Sequence, residues 1–184
     1  MLIIQSSLVK EAYSFSSTQI NFPANITREV IEWGKLNISD KELYHNPEEK
    51  DRFGREKEIH CTVKYGLHTL DSRKVNNIVK GFGTFNLTLG EVSRFVPSDE
   101  PYDVVKIEVQ SEKLHELHIL LSELENSDKH PNYTPHVTVA YIRAGTNRNL
   151  SGNKNFVGRS IRVEEIVFCP KEGDQIICSL KKED

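Results

Sequence analysis

Two stretches of this chain repeat one frame without a gap. The first is Ile59-His60-Cys61-Thr62-Val63-Lys64-Tyr65. The second, 76 positions later (136 − 60), is Pro135-His136-Val137-Thr138-Val139-Ala140-Tyr141. Both read H-x-T-V-x-Y. A lone H-x-T arises often by chance; two copies sharing a longer frame are much harder to dismiss. Val, Thr, Tyr and Cys favour extended backbone, and successive side chains of a strand point to opposite faces. Simple alternation therefore puts His60, Thr62 and Lys64 on one face, and His136 and Thr138 on one face of the other copy. Cys61, Val63 and Tyr65, with Val137, Val139 and Tyr141, form apolar backs suited to packing on helices. Each front then carries an imidazole and a hydroxyl roughly 7 Å apart, and a polar pair on an otherwise buried strand needs a reason.

The rest of the chain constrains what surrounds these strands. At 184 residues, with 37% hydrophobic and 28% charged residues, the chain is long for one small domain and short for two independent ones, and a single domain over 1–184 is expected. No 18-residue apolar run exists, so no membrane span is expected. The opening Met1-Leu2-Ile3-Ile4-Gln5 lacks the basic start and the apolar length of a secretory signal. Three cysteines (Cys61, Cys169, Cys178) form no CxxC and leave an odd thiol, which favours a reducing cytoplasm over a disulfide framework. The net charge of −3 argues against bulk nucleic-acid binding. Between Ala140 and Val163, however, lie Arg143, Arg148, Lys154, Arg159 and Arg162 with no acidic residue. That leaves 19 of the 24 basic residues against all 27 acidic ones elsewhere. A basic segment directly after the second motif would concentrate an anionic ligand; its plain alternative is a solvated loop.

Pattern and punctuation give the other elements. A strand is expected over 13–22, then a helix from an Asn25 cap to about Asn37, with Ile26, Val30, Ile31, Trp33 and Leu36 inward. Residues 39–58 are dense in charge and read as a functional loop or lid. A helix capped by Asp71 or Ser72 runs to about Lys80, and strands cover 84–96 and 102–110. Ser111 starts a helix whose Leu114, Leu117, Leu121 and Leu124 form a buried stripe. Residues 161–168 and 175–180 close the chain as a hairpin. His115 and His118 ride the Leu-striped helix, with His130 beyond it, but no Cys or acidic pattern completes a metal-ligand set. Zinc is therefore disfavoured.

Two histidines facing one cleft suit phosphodiester chemistry without a metal. Imidazole, with an ordinary pKa near 6.5, exists in both protonation states close to neutral pH. One His takes a proton from the attacking hydroxyl or water, and the other donates one to the departing oxygen. Thr62 and Thr138 are expected to hold the non-bridging phosphate oxygens. Lys64, Arg143, Arg55 and Tyr13 are secondary candidates for substrate binding: three cations, and a ring to stack a base, a role also open to Phe15 and Tyr44. His60-Cys61-Thr62 and His136-Val137-Thr138, each in a short apolar strand, resemble the signature of the 2H phosphoesterase superfamily. That group includes RNA 2′,3′-cyclic phosphodiesterases and 2′-5′ RNA ligase-like proteins. The resemblance implies a bilobal α+β fold with antiparallel sheets meeting at a central cleft and helices outside. It also implies that His60 and His136 are the acid–base pair and that Thr62 and Thr138 bind the phosphate. The expected substrate is a nucleotide or short oligonucleotide with a cyclic or 2′-linked phosphodiester. No metal, other cofactor or membrane is expected to take part, and the chain is expected to act as a monomer. The alternatives are a non-catalytic nucleotide-binding module, a 2′-5′ RNA ligase, and a metal-dependent hydrolase built on His115, His118 and His130.

Overall fold

The structure is a computed structural model that describes residues 3–4, 15–49, 52–128, 132–146 and 148–181. The elements in chain order are β1 (Ile3–Ile4), β2 (Ser16–Asn21), α1 (Ala24–Asn37), β3 (His60–Leu67), α2 (Ser72–Val79), β4 (Phe85–Phe95) and β5 (Tyr102–Gln110). There follow α3 (Glu112–Leu121), β6 (His136–Arg143), a 3-10 turn (Arg148–Leu150), β7 (Ser160–Val163), β8 (Glu165–Cys169) and β9 (Gln175–Ser179). The strands form one antiparallel sheet in the order β1-β9-β8-β2-β3-β6-β5-β4-β7. This is the α+β architecture expected from the sequence, with the two motif strands β3 and β6 as neighbours at the middle of the sheet.

The sheet curls, and the chain forces it to. A stretch expected as one strand is broken at Glu164 into β7 and β8, which lie toward opposite ends of the strand order. Six inter-strand spacings laid flat would separate them by roughly 30 Å. One intervening residue cannot span that distance, so the two ends approach each other. Leu180 N–H donates to the Glu164 carbonyl (2.9 Å) and Thr84 N–H to the Lys181 carbonyl (3.1 Å) across the closing seam.

The helices back the motif strands. The α3 stripe Leu114, Leu117 and Leu121 is fully buried with Cys61, Val63, Val137, Val105 and Ile107. Ser111 caps α3 and Asp71 caps α2, each accepting from an early backbone N–H. In α1 the Asn25 cap does not form: the helix starts two residues earlier, behind Pro23, without a side-chain cap. Trp33 is core, edge-on to Phe156 with centroids 5.9 Å apart. Leu36, expected inward, is 86% exposed.

Gly66 is the one glycine on which the centre depends. It takes φ 82°, and a Cβ there would lie 2.8 Å from the backbone nitrogen of Asp128. Only a residue without a side chain lets the 127–128 turn close on the end of β3.

Candidate active site

The motif strands meet through one registered pair, Cys61 opposite Val137. Antiparallel register carried one residue either way sets His60 opposite Thr138 and Thr62 opposite His136. Side chains of paired residues share a face, so the two motifs merge into one quartet in which each His stands beside the other motif's Thr. All four are half-buried, at a sheet surface and not within the core.

Each imidazole is held in the same way. His60 Nδ1 lies 2.7 Å from the Glu58 carbonyl, and His136 Nδ1 lies 2.7 Å from the Thr134 carbonyl. A carbonyl only accepts, so both Nδ1 atoms carry hydrogen, and in the neutral ring Nε2 keeps the lone pair. The strand thus fixes the tautomer of both rings from two residues upstream.

Beyond the Thr, the simple alternation expected for the frame fails, and it fails identically in both copies. Along β2, Gln19 pairs with Thr62 but Thr18 pairs with Lys64, so Val63 is an extra residue. Along β5, Lys106 pairs with Thr138 but Val105 pairs with Ala140, so Val139 is extra. Such a bulge reverses the faces of the residues after it, up to any further register shift, which in β3 comes between Lys64 and Leu67. Lys64 and Ala140 therefore turn to the helix side, where they are 5% and 0% exposed. Tyr65 and Tyr141 turn to the side of the quartet, where Tyr65 is 40% exposed. Because β3 and β6 run in opposite directions, the two tyrosines lie at opposite ends of the quartet.

Each bulge leaves backbone groups that need partners, and the two are satisfied differently. At the first, Tyr133 Oη–H donates to the Thr62 carbonyl (2.8 Å) and His118 Nδ1–H to the Val63 carbonyl (2.6 Å). These two rings stack with centroids 4.0 Å apart. At the second, parts of 42–49 and 52–56 lie along β6: Glu56 N–H donates to the Val139 carbonyl (2.9 Å), Tyr141 N–H to the Gly54 carbonyl (2.8 Å), and Tyr44 N–H to the Tyr141 carbonyl (3.0 Å). The described residues of the segment read as a loop or lid are irregular chain beside β6. Burial pushes the Cys61 thiol up to about 12, and burial likewise raises the Tyr133 phenol. Neither supplies a thiolate or phenolate near neutral pH.

The secondary candidates do not join the quartet. Lys64, expected beside Thr62, is carried away by the bulge and pairs with Asp128 (3.0 Å). Arg55 is bound to the Asp40 carboxylate and the Ile38 carbonyl. Arg143, at the far end of β6 and roughly 20 Å of strand from His136, donates to the Lys41 carbonyl. Tyr13 lies outside the described residues. Phe15 stacks on His68 and Tyr44 packs with Phe53 and Tyr102. The basic segment is dispersed: Lys154 meets Glu91 (3.5 Å), Arg159 meets Glu29, and Arg162 reaches Thr84. Of the three histidines weighed for zinc, His118 is committed to the Val63 carbonyl, His115 lies edge-on to Tyr133, and His130 is outside the described residues.

Sequence reasoning missed the residues that β5 brings to the quartet. Lys106 pairs across from Thr138 and Glu108 across from His136. Lys106 Nζ donates to Ser93 Oγ (2.7 Å), lies 3.8 Å from Glu108 Oε1 and sits 4.4 Å over the Phe95 ring. The same ring meets His136 edge-on at 4.9 Å. A signal existed: within the β-branched run 102–110, Lys106 and Glu108 fall two apart on one face.

Comparison with solved structures finds this fold repeatedly. E. coli LigT complexed with 3′-AMP superposes with a TM-score of 0.63 at 18% identity, over 91% of this chain and 95% of that one. TT0787 of Thermus thermophilus gives 0.62 at 14%, over 92% and 100%. Kluyveromyces marxianus Usb1 gives 0.56 at 10%, over 92% and 99%. No curated protein sequence matches. The profile of a family described as "Anti-CBASS protein Acb1" matches residues 42–170, a span that holds both motifs and the β5 strand between them. The chain belongs to the anti-CBASS protein Acb1 family and is a phosphoesterase of the 2H type that acts on nucleotides.

Proposed function

We propose that this protein cleaves a cyclic nucleotide signal, using His60 and His136 as general acid and base and Thr62 and Thr138 to bind the phosphate. The observation that carries the reading is the crossed quartet with both Nδ1–H groups tied to backbone carbonyls. One Nε2 removes the proton from the attacking hydroxyl or water as its oxygen bonds to phosphorus. The other, protonated, gives its proton to the departing oxygen as that P–O bond breaks. Catalysis of this type contributes about 10²–10⁴-fold in rate. The threonine hydroxyls, one on each strand, donate to the non-bridging oxygens where negative charge develops.

Three features favour a phosphodiester with a nucleoside on each side. The quartet is flanked at opposite ends by Tyr65 and Tyr141, each an aromatic surface for a base. Tyr141 belongs to a cluster with Phe53 and Tyr102, centroids 5.2 and 5.4 Å away. The family match, to proteins that degrade cyclic nucleotides, agrees with this. The test is a panel of cyclic mono-, di- and trinucleotides, 2′,3′-cyclic ends and 2′-5′ oligomers incubated with purified protein in EDTA. Conversion of a cyclic di- or trinucleotide to a linear product is expected. Binding of these compounds without turnover would make the protein a nucleotide-binding module instead.

A further inference from the structure

We propose that Lys106 is the cation of this site, placed to stabilise the negative charge that develops on the phosphoryl oxygens held between Thr138 and His136. This rests on the reading that the two H-x-T strands bind a phosphodiester. The motifs themselves supply two hydroxyls and two imidazoles, of which one is neutral in the working state. A phosphoryl group gaining an oxygen gains negative charge that this set balances only in part. Each cation suggested by the sequence is engaged elsewhere: Lys64 with Asp128, Arg55 with Asp40, and Arg143 with the Lys41 carbonyl.

Lys106 is different in position and in surroundings. It is the registered neighbour of Thr138, on the quartet's face. It is 4% exposed, so little water screens its charge, and a preorganised charge in such a place acts strongly on a nearby oxyanion. Ser93 Oγ takes one of its three N–H donors at 2.7 Å, which aims the ammonium. Phe95 lies beneath it at 4.4 Å and also braces the His136 ring, so the cation and one proton carrier share a single wall. Glu108, 3.8 Å away, is beyond direct hydrogen-bond reach and acts as a counter-charge. Burial lowers the ammonium's proton affinity from its ordinary value, and Glu108 offsets part of that pull.

The test uses Lys106→Met, which keeps the length and an apolar stem over Phe95, and Lys106→Arg, which keeps the charge. The measurements are kcat and KM on the cyclic nucleotide turned over, thermal midpoint, and inorganic phosphate binding by calorimetry. Lys106→Met is expected to lower kcat by about 10²-fold with KM changed only a few-fold. It should also weaken phosphate binding by about tenfold while the protein stays folded, and Lys106→Arg should recover part of both losses. Should Lys106→Met fail to fold, Glu108→Gln decides: removing the counter-charge is expected to tighten phosphate binding, and unchanged or weaker binding overturns the proposal. In a folded Lys106→Met protein, kcat within about twofold of wild type and unchanged phosphate affinity overturn it, as does a wild-type protein that binds no phosphate. A wild type that binds phosphate through Lys106 yet cleaves no nucleotide would instead count against the reaction assigned above.

Discussion

At the scale of single residues, the account rests on what each ring nitrogen and hydroxyl can donate or accept. With Nδ1 of His60 and His136 committed to the Glu58 and Thr134 carbonyls, the proposed acid–base chemistry requires the two Nε2 atoms. His60→Gln and His136→Gln should each lower kcat by about 10²–10⁴-fold with little change in thermal midpoint, read by steady-state kinetics beside a melting curve. The rate should rise and fall with pH as a bell, because one imidazole must be neutral while the other is charged. Its two limbs belong to the pair and not to assigned residues. The histidines and threonines are legible in the sequence because the frame repeats. Lys106 is not: a single lysine in a strand pattern carries no sign of which strand lies beside it. That information resides in the β5–β6 register.

At the scale of elements, the decisive feature is the bulge at Val63 and again at Val139. A period-2 reading of a strand assumes an uninterrupted ladder, and one inserted residue inverts everything downstream. Hence alternation holds through His60 and Thr62, and through His136 and Thr138, and then puts Lys64, Tyr65 and Tyr141 on the wrong faces. Only the partner strands reveal the insertion. Lys64 is the structural half of a buried ion pair with Asp128, so Lys64→Met, which removes that half, should cost about 3–5 kcal/mol in chemical denaturation. KM for the nucleotide should stay unchanged in the folded fraction; a raised KM at full stability would return Lys64 to the substrate. Gly66→Ala, forced to keep a left-handed φ against the Asp128 backbone, should cost about 1–3 kcal/mol in the same assay. His118, which helps satisfy the first bulge, has its proton affinity lowered by burial. Its folded form thus binds protons less readily than the unfolded chain. The stability this contributes is present above the ordinary histidine range near pH 6.5 and is lost as pH falls through the folded value. Urea midpoints measured down through that window should decline less steeply in His118→Gln than in wild type.

At the scale of the whole molecule, a single curled sheet brings two distant segments of chain into one crossed site. The helices α1 and α3 are readable from their apolar stripes, and the antiparallel pairing is implied by the resemblance that the two motifs carry. The curl is not, because it follows from one residue, Glu164, joining strands near opposite ends of the order. Nor is the docking of residues 42–44 and 54–56 along β6, which depends on backbone groups left open where the motif strands diverge. Among the described residues, no helix is long and apolar enough to cross a membrane. The central claim is that the two motifs act as one site, each His working across from the other motif's Thr. It is tested most directly by single-turnover cleavage of the preferred cyclic nucleotide in EDTA, comparing wild type, His60→Gln, His136→Gln and the double variant. Wild type should turn over, each single variant should lose about 10²–10⁴-fold, and the double variant should be far less impaired than the product of the two losses. Strictly multiplicative losses, or full activity in either single variant, would contradict it.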